Sequence, residues 1–198
     1  MDANNDNSRG DSLLNPPAPP AVLELVAACT RFVTTRYQIP LDGTPDTLSL
    51  IDQYVRDSRA EIAANPAAIE LVQGAIGAYL GEVMRQSYGG EWFAVGDQDG
   101  WRIDMTYVFV TFNPIGMARE ALTLEPAEGW HAHLETEEAY REEIDARLAA
   151  LGDVTEEEYY APTTQFDVLA LTVESIRARM AEQNLGDVTF NRSDYGRK

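Results

Sequence analysis

Apolar residues recur every three or four positions through the first half of the chain, which predicts a run of helices. The first helix is predicted over residues 20–37. Thr44-Pro45 and Asn65-Pro66 each place a capping residue before a proline, a combination that is typical of a helix start. We therefore expect a second helix after Pro45 and a third helix after Pro66.

The third predicted helix, which runs to about Ser87, carries a strip of small residues. Glycine inside a helix costs roughly 1 kcal/mol relative to alanine, so repeated glycines indicate that another element packs closely there. We expect a neighbouring helix or the sheet to lie against this strip. Its members are Gly74, Gly77, Ala78 and Gly81.

After Ser87 the pattern changes from helical to strand-like. Residues 91–96 and 101–112 are rich in aromatic and β-branched side chains, which favour strands. A hairpin turn is predicted at 97–100 and a second turn at Thr106, which gives three antiparallel strands. Because this small sheet carries many large rings, a face that does not meet the helices needs a cover or a partner.

Helical spacing returns in the second half of the chain. Asn113-Pro114 predicts the start of a fourth helix over 115–122. A fifth helix is predicted over 136–151 and a last helix over 163–180. The predicted fold class is therefore α+β, with a small three-stranded antiparallel meander packed by about six helices.

A single domain is predicted over residues 21–184. Residues 1–20 are polar and then proline-rich, so we expect a disordered tail there. Residues 185–198 are predicted to form a flexible C-terminal tail, in which Val188 and Phe190 are candidates for local docking.

The chain carries a formal net charge of −18 at pH 7. A charge of this sign disfavours binding to nucleic acid and to anionic membranes, and it attracts basic partners. Acidic residues concentrate in the stretch 125–160, where only Arg141 and Arg147 oppose them. This stretch is either a solvated surface or a docking surface for a basic protein. The candidate docking residues are Glu137, Glu138, Glu142 and Glu143.

The single cysteine, Cys29, lies on the apolar side of the first predicted helix and is expected to be a buried, unreactive thiol. One cysteine forms no internal disulfide, so nothing indicates an oxidising compartment. No stretch of the sequence reaches the roughly 18 uninterrupted apolar residues of a membrane span. We therefore expect a cytoplasmic protein.

Glu82 and Arg85 lie one turn apart on the third predicted helix, beside the small-residue strip. Their spacing allows a surface ion pair. Alternatively, Glu82 is a buried carboxylate facing a cleft, with a raised pKa and a role as acid or base, and Arg85 is an anion anchor. Trp92 and Trp101 would line that cleft, and they are also candidates for an aromatic binding surface on the sheet.

The two histidines, His131 and His133, are followed by Glu135. On a strand this spacing would point all three side chains to one side, and imidazole and carboxylate groups suit zinc or iron. The alternative interpretation is a polar loop beside Trp130. Because no other cluster is spaced to complete a metal site, the sequence predicts no resident cofactor.

Three motifs of the chain resemble an uncharacterised bacterial family, a domain of unknown function. They are the run AYLGEV at 78–83, the run GGEW at 89–92, and the Asn-Pro turn at Asn113-Pro114. The resemblance covers about residues 41–182 and implies a similar fold. It implies no activity and no catalytic residue.

Together these features favour a non-enzymatic module that binds a basic protein through the acidic stretch or the aromatic sheet, and immunity and accessory proteins are one form of such a module. Two other functions stay open. One is a small-molecule or metal-dependent enzyme with a cleft around Glu82 and Arg85, in which His131 and His133 would be metal ligands. The other is a structural homodimer that buries its aromatic sheet.

Overall fold

The computed structural model describes residues 16–150, 152 and 154–197, so most of the tail predicted over 1–20 lies outside the described residues. Within these residues the fold is α+β, with seven α-helices and one antiparallel sheet of four strands. The helices are α1 (Pro20–Tyr37), α2 (Leu48–Ala64), α3 (Ile69–Tyr88), α4 (Pro114–Thr123), α5 (Glu138–Ala149), α6 (Glu156–Tyr159) and α7 (Pro162–Glu182), and the strands are β1 (Gly90–Phe93), β2 (Arg102–Met105), β3 (Val110–Phe112) and β4 (Glu135–Thr136).

Two of the predicted helix caps have different outcomes. The Asn113 cap is confirmed, because its Oδ1 accepts hydrogen bonds from the backbone N–H groups of Ile115 and Gly116, at 2.9 and 3.2 Å. The Thr44 cap is wrong in detail, because the Thr44 side chain makes no cap hydrogen bond. The backbone N–H of Thr44 instead donates to Asp42 Oδ1 at 2.9 Å.

Helix α3 is the centre of the fold, and every residue from 73 to 85 is buried. Its small-residue strip faces α4 and the sheet. A Cβ atom on Gly77 would overlap the Cα of Ile115, and one on Gly81 would lie 2.5 Å from Cζ2 of Trp92. The predicted close approach is therefore confirmed, and both α4 and the sheet pack against the glycines of α3.

The four strands pair in chain order, each antiparallel to the next. Trp92 pairs with Ile103, and Ile103 pairs with Phe112, so the large apolar side chains share the inner face of the sheet. The prediction of three strands is corrected to four, because β4 pairs with β3. The helix that the sequence predicts over 136–151 therefore begins later, at Glu138, after β4 has ended. A two-residue strand carries no alternation, and the single turn of α6 carries no helical period, so the pattern of apolar residues predicts neither element.

The C-terminal residues cover the outer face of the sheet. The backbone N–H of Phe190 donates to the carbonyl oxygen of Thr106 at 2.8 Å. The Tyr195 hydroxyl donates to the carbonyl oxygen of Met105 at 2.7 Å, and its ring stacks on Phe109 with the ring centroids 4.6 Å apart. These contacts fix the segment along the strands.

Arg197 extends this cover to β1 and β2. Its Nε lies 3.3 Å from Oδ2 of Asp104, and its guanidinium lies 5.4 Å from the ring centroid of Phe93. Where the sequence predicts a flexible tail over 185–198, the structure packs residues 190–197 against the sheet. The cover that the ring-rich sheet needs is therefore supplied by the chain itself.

Candidate functional site

Glu82, the candidate acid or base, is buried and both of its carboxylate oxygens accept hydrogen bonds. Its Oε1 accepts from Arg85 Nε at 2.7 Å and from Trp92 Nε1 at 2.6 Å. Its Oε2 accepts from Arg85 Nη2 at 3.0 Å and from Gln86 Nε2 at 3.2 Å. Arg85 Nη1 also donates to the carbonyl oxygen of Pro16 at 3.0 Å. The group thus ties α3 to β1 and to the segment before α1.

The pKa of Glu82 lies below its ordinary value. Burial acts to raise this pKa, but the hydrogen bonds and the positive charge of Arg85, together with the Trp92 N–H, outweigh burial. A carboxylate that is held ionised, with both oxygens bonded, is poorly suited to exchange a proton with a substrate. The predicted raised pKa is therefore wrong, and the predicted surface ion pair is a buried one.

Trp92 and Trp101 are core residues rather than a docking surface. Their exposed fractions are 2% and 7%. Their rings meet edge to face with the centroids 6.5 Å apart, and Trp101 Nε1 donates to the carbonyl oxygen of Gly96 at 3.0 Å. The structure therefore leaves neither indole available to a partner. Cys29 is buried, as the sequence predicts, and burial raises the pKa of its thiol to about 12.

Helix α5, which carries the candidate docking carboxylates, packs on the domain through a narrow apolar stripe. Ile144 is its buried residue, and Tyr140 and Leu148, one turn to either side, are partly buried against the core. This stripe leaves most of the helix surface in solvent.

Four carboxylates cluster on that solvent-facing surface. Glu138, Glu142 and Asp145 occupy positions i, i+4 and i+7, so they line one side of α5, and Glu137 precedes them at the N-cap. All four are exposed, and none of them has an ion pair or a side-chain hydrogen bond within the residues that the structure describes. We call these four residues the acidic ridge.

Glu143, the fourth carboxylate that the sequence predicts for docking, is neutralised within the chain. Its Oε1 accepts from Arg147 Nη2 at 2.9 Å, and its Oε2 lies 4.0 Å from Arg179 Nη1. Glu143 therefore does not belong to the acidic ridge. Asp145, which the sequence does not single out, lies in the ridge because α5 places it one turn after Glu142.

His131 and His133 do not line up as metal ligands. His131 has a left-handed backbone, with φ of 52°, and its Nδ1 bonds to Glu135 Oε1. His133 Nε2 instead lies 3.6 Å from Oε1 of Glu120. Among the described residues, no group of three or more His, Cys, Asp or Glu side chains could hold a metal ion. The segment is a polar loop, as the alternative interpretation has it.

Glu120 is a buried carboxylate that is not among the site residues predicted from the sequence. It lies on α4 with an exposed fraction of 2%, and its Oε1 accepts a hydrogen bond from the backbone N–H of Ala127 at 3.0 Å. Burial raises the pKa of Glu120, although the Ala127 hydrogen bond and the charge of His133 act against that rise. A signal was present in the sequence, because Glu120 lies one turn after Met117 on the apolar side of the predicted fourth helix.

A cavity of about 320 Å³ opens beside Glu120. Its walls combine apolar residues, the two histidines and three glutamates. The lining residues are Glu120, Pro126, Ala127, Glu128, Gly129, His131, Ala132, His133 and Glu135. Glu135 lies two positions before Glu137, so the cavity and the ridge are neighbours along the chain.

Comparisons with protein-family models, with curated proteins and with solved structures found no match to this chain. Among the helices that the structure describes, none is long and apolar enough to cross a membrane.

Proposed function

We propose that the protein is a non-enzymatic module that binds a basic protein partner on the acidic ridge. The observation that carries this proposal is the set of four exposed carboxylates on and before α5 that make no ion pair within the described residues. Like charges one turn apart on a helix destabilise it by roughly 0.2–0.5 kcal/mol per pair. Cations from a partner would offset that cost.

The cations near the acidic ridge are engaged elsewhere. Arg147 and Arg179 contact Glu143. Arg141 lies on the same helix, but its Nη2 donates to the carbonyl oxygen of Thr136 at 3.3 Å. The net charge of −18 extends the negative field beyond the ridge and would accelerate the approach of a basic protein.

The two other functions that the sequence leaves open have less support. The enzyme hypothesis relied on Glu82, whose oxygens are bonded to Arg85, Gln86 and Trp92. The homodimer hypothesis relied on an uncovered sheet, and the chain's own C-terminal residues lie on its outer face. We place the module in the cytoplasm, as an accessory or immunity protein that neutralises its basic partner.

A pair of charge-matched variants tests the proposal. The ridge variant combines Glu138→Gln, Glu142→Gln and Asp145→Asn. The charge-matched variant combines Glu24→Gln, Asp46→Asn and Glu174→Gln, which are exposed carboxylates outside α5 and have no ion pair among the described residues. Both variants change the net charge equally, so they separate a local surface from a general electrostatic attraction.

Tagged full-length protein is used to capture its partner from a native extract of the producing cells, at about 50 mM and about 500 mM NaCl. We expect a stoichiometric basic protein with the wild type and the charge-matched variant at low salt, and its loss with the ridge variant or at high salt. Equal retention by the ridge and charge-matched variants would overturn the proposal.

A further inference from the structure

An apolar groove of about 230 Å³ opens between α5, α7 and the residues that follow α7. Ile176 and Met180 of α7 are its buried lining residues, and Tyr140 lines it from α5. Leu185 and Val188 also line the groove, although their exposed fractions are 42% and 38%. Large apolar side chains that stay exposed around one concave site indicate a surface that a binding partner covers.

The end of α7 holds the groove in shape. Asn184 has a left-handed backbone, with φ of 59°, and its N–H donates to the carbonyl oxygen of Ala181 at 3.1 Å. The N–H of Leu185 donates to the carbonyl oxygen of Met180 at 2.8 Å, which completes the Schellman pattern of a helix end. Because these bonds fix Leu185 beside the groove before anything binds, binding there costs little conformational entropy.

Glu137 joins the groove to the acidic ridge, because it belongs to both. It is the charged residue among those that line the groove, and it has no ion pair within the described residues. A second copy of this chain carries the same net charge of −18, so repulsion disfavours it as the occupant. Charge complementarity favours a basic protein whose cations lie near Glu137 when one of its side chains enters the groove.

From these contacts we infer that the groove receives a large apolar side chain of the basic partner, flanked in that partner by arginine or lysine residues. This inference rests on the proposed function and adds the anchor residue of the partner. A cavity of roughly 150 Å³ admits benzene, so a groove of about 230 Å³ has room for an aromatic ring.

The groove and the acidic ridge contribute to binding in different ways. Exposed ion pairs add little affinity and mainly accelerate association, whereas apolar side chains buried at the centre of an interface slow dissociation. Protein interfaces combine such an apolar core with a polar rim. The groove fits the core and the ridge fits the rim. Salt screens the ridge contacts, but it does not weaken the apolar contacts of the groove.

Three short peptides test the groove without the partner. The first is an acetylated and amidated pentapeptide that has tryptophan between two pairs of arginines. The second has serine in place of the tryptophan, and the third has glutamines in place of the arginines. Each peptide is titrated into full-length protein while the methyl resonances of Ile176 and Met180 are followed by NMR.

A pair of variants with identical substitutions completes the design. The groove variant combines Leu185→Ser and Val188→Ser. The control variant combines Leu71→Ser and Val95→Ser, which also change one exposed leucine and one exposed valine but lie outside the groove. Neither variant changes the net charge. Circular dichroism and thermal unfolding confirm that each variant is folded.

We expect the arginine–tryptophan peptide to shift the Ile176 and Met180 resonances and to bind about tenfold more tightly than the serine peptide. The groove variant should lose about tenfold in affinity for it, at about 50 mM and at about 500 mM NaCl, and the control variant should lose none. At low salt the glutamine peptide should bind more weakly than the arginine–tryptophan peptide.

Three results would overturn the inference. The first is equal affinity of wild type and the groove variant for the arginine–tryptophan peptide. The second is equal binding of the arginine–tryptophan and glutamine peptides at low salt, because the groove would then not select a basic partner. The third is a wild-type dimer in sedimentation velocity that the groove variant abolishes, because a second copy would then occupy the groove.

The captured partner separates this inference from the proposed function. If the ridge variant loses the partner while the groove variant binds it as tightly as wild type, the apolar anchor is wrong and the docking ridge stands. If the groove variant loses the partner while the ridge variant keeps it, the acidic ridge is wrong and the groove stands. Weakening by both variants, with the control variant unchanged, supports both.

Discussion

Trp92 Nε1 lies 2.6 Å from Oε1 of Glu82 and donates a hydrogen bond to it. This bond joins the first strand to the central helix, beside the position where Gly81 lets the indole ring approach the helix backbone. The carboxylate is held in place by Arg85, so the sheet is fastened to α3 by a buried ionic group. The residues that look most catalytic in the sequence are thus part of the framework.

Replacing Glu82 by glutamine is expected to lower the free energy of unfolding by about 3 kcal/mol, because it removes the negative charge of a buried ion pair with Arg85. Urea unfolding measures the change. The matched control is Glu61→Gln, which removes an exposed ion pair with Arg36 and should change the free energy of unfolding by less than about 1 kcal/mol. Similar losses in the two variants would contradict a structural role for Glu82.

The small-residue strip predicts different results for two glycines of α3. Gly77→Ala places a Cβ against the backbone of Ile115, which cannot move aside, and should lower the free energy of unfolding by about 2 kcal/mol. Gly74→Ala places a Cβ 2.7 Å from the Nε2 atom of Gln98, at the end of a flexible side chain, so helix propensity largely compensates. Thermal unfolding of both variants tests the difference, and equal stabilities would argue against the close helix contact.

The hydrogen bonds of Tyr195 test whether the C-terminal segment stabilises the sheet that it covers. Its hydroxyl donates to the Met105 carbonyl oxygen and accepts from the backbone N–H of Val110 at 3.1 Å. Tyr195→Phe should therefore lower the free energy of unfolding by about 1–3 kcal/mol, because it removes the hydroxyl that bonds to the Met105 carbonyl oxygen and to the Val110 N–H. Tyr88→Phe is the control, since the Tyr88 hydroxyl has no hydrogen bond within the described residues. If Tyr195→Phe is as stable as this control, the segment does not hold the sheet.

The burial of Glu120 predicts how the free energy of unfolding depends on pH. Burial raises its pKa in the folded protein above the ordinary value of 4.5, so the folded state binds the proton more tightly than the unfolded state does. Its contribution to stability is therefore largest below pH 4.5 and falls as the pH rises through the folded pKa. Glu120→Gln cannot ionise and should gain stability relative to wild type across this range. Urea unfolding at a series of pH values measures the difference, and a constant difference would contradict a raised pKa.

The sequence predicts features whose cause is local. The Asn113 cap involves residues two and three positions away, and the glycines of α3 reveal close packing because each one is unfavourable in a helix by itself. The sequence pattern does not identify which residues pack against the strip. Ile115 and Trp92 come later in the chain and contact the glycines only in the folded structure.

The features that the sequence misses depend on contacts distant in the chain. Tyr195 bonds to carbonyl oxygens 85–90 residues earlier, and nothing in the polar segment around it indicates that destination. Strand β4 exists only through its pairing with β3. Glu120 could have been noticed on the apolar side of its helix, but its contact with His133 required the fold of the intervening loop.

The most direct test of the docking ridge is the dissociation constant of the purified partner for wild type, the ridge variant and the charge-matched variant, at about 50 mM NaCl. We predict that binding to the ridge variant is at least about tenfold weaker than to wild type, and that the charge-matched variant stays within about twofold. Equal dissociation constants for the two variants would show that the partner responds to total charge or binds elsewhere, and would contradict the role given to Glu138, Glu142 and Asp145.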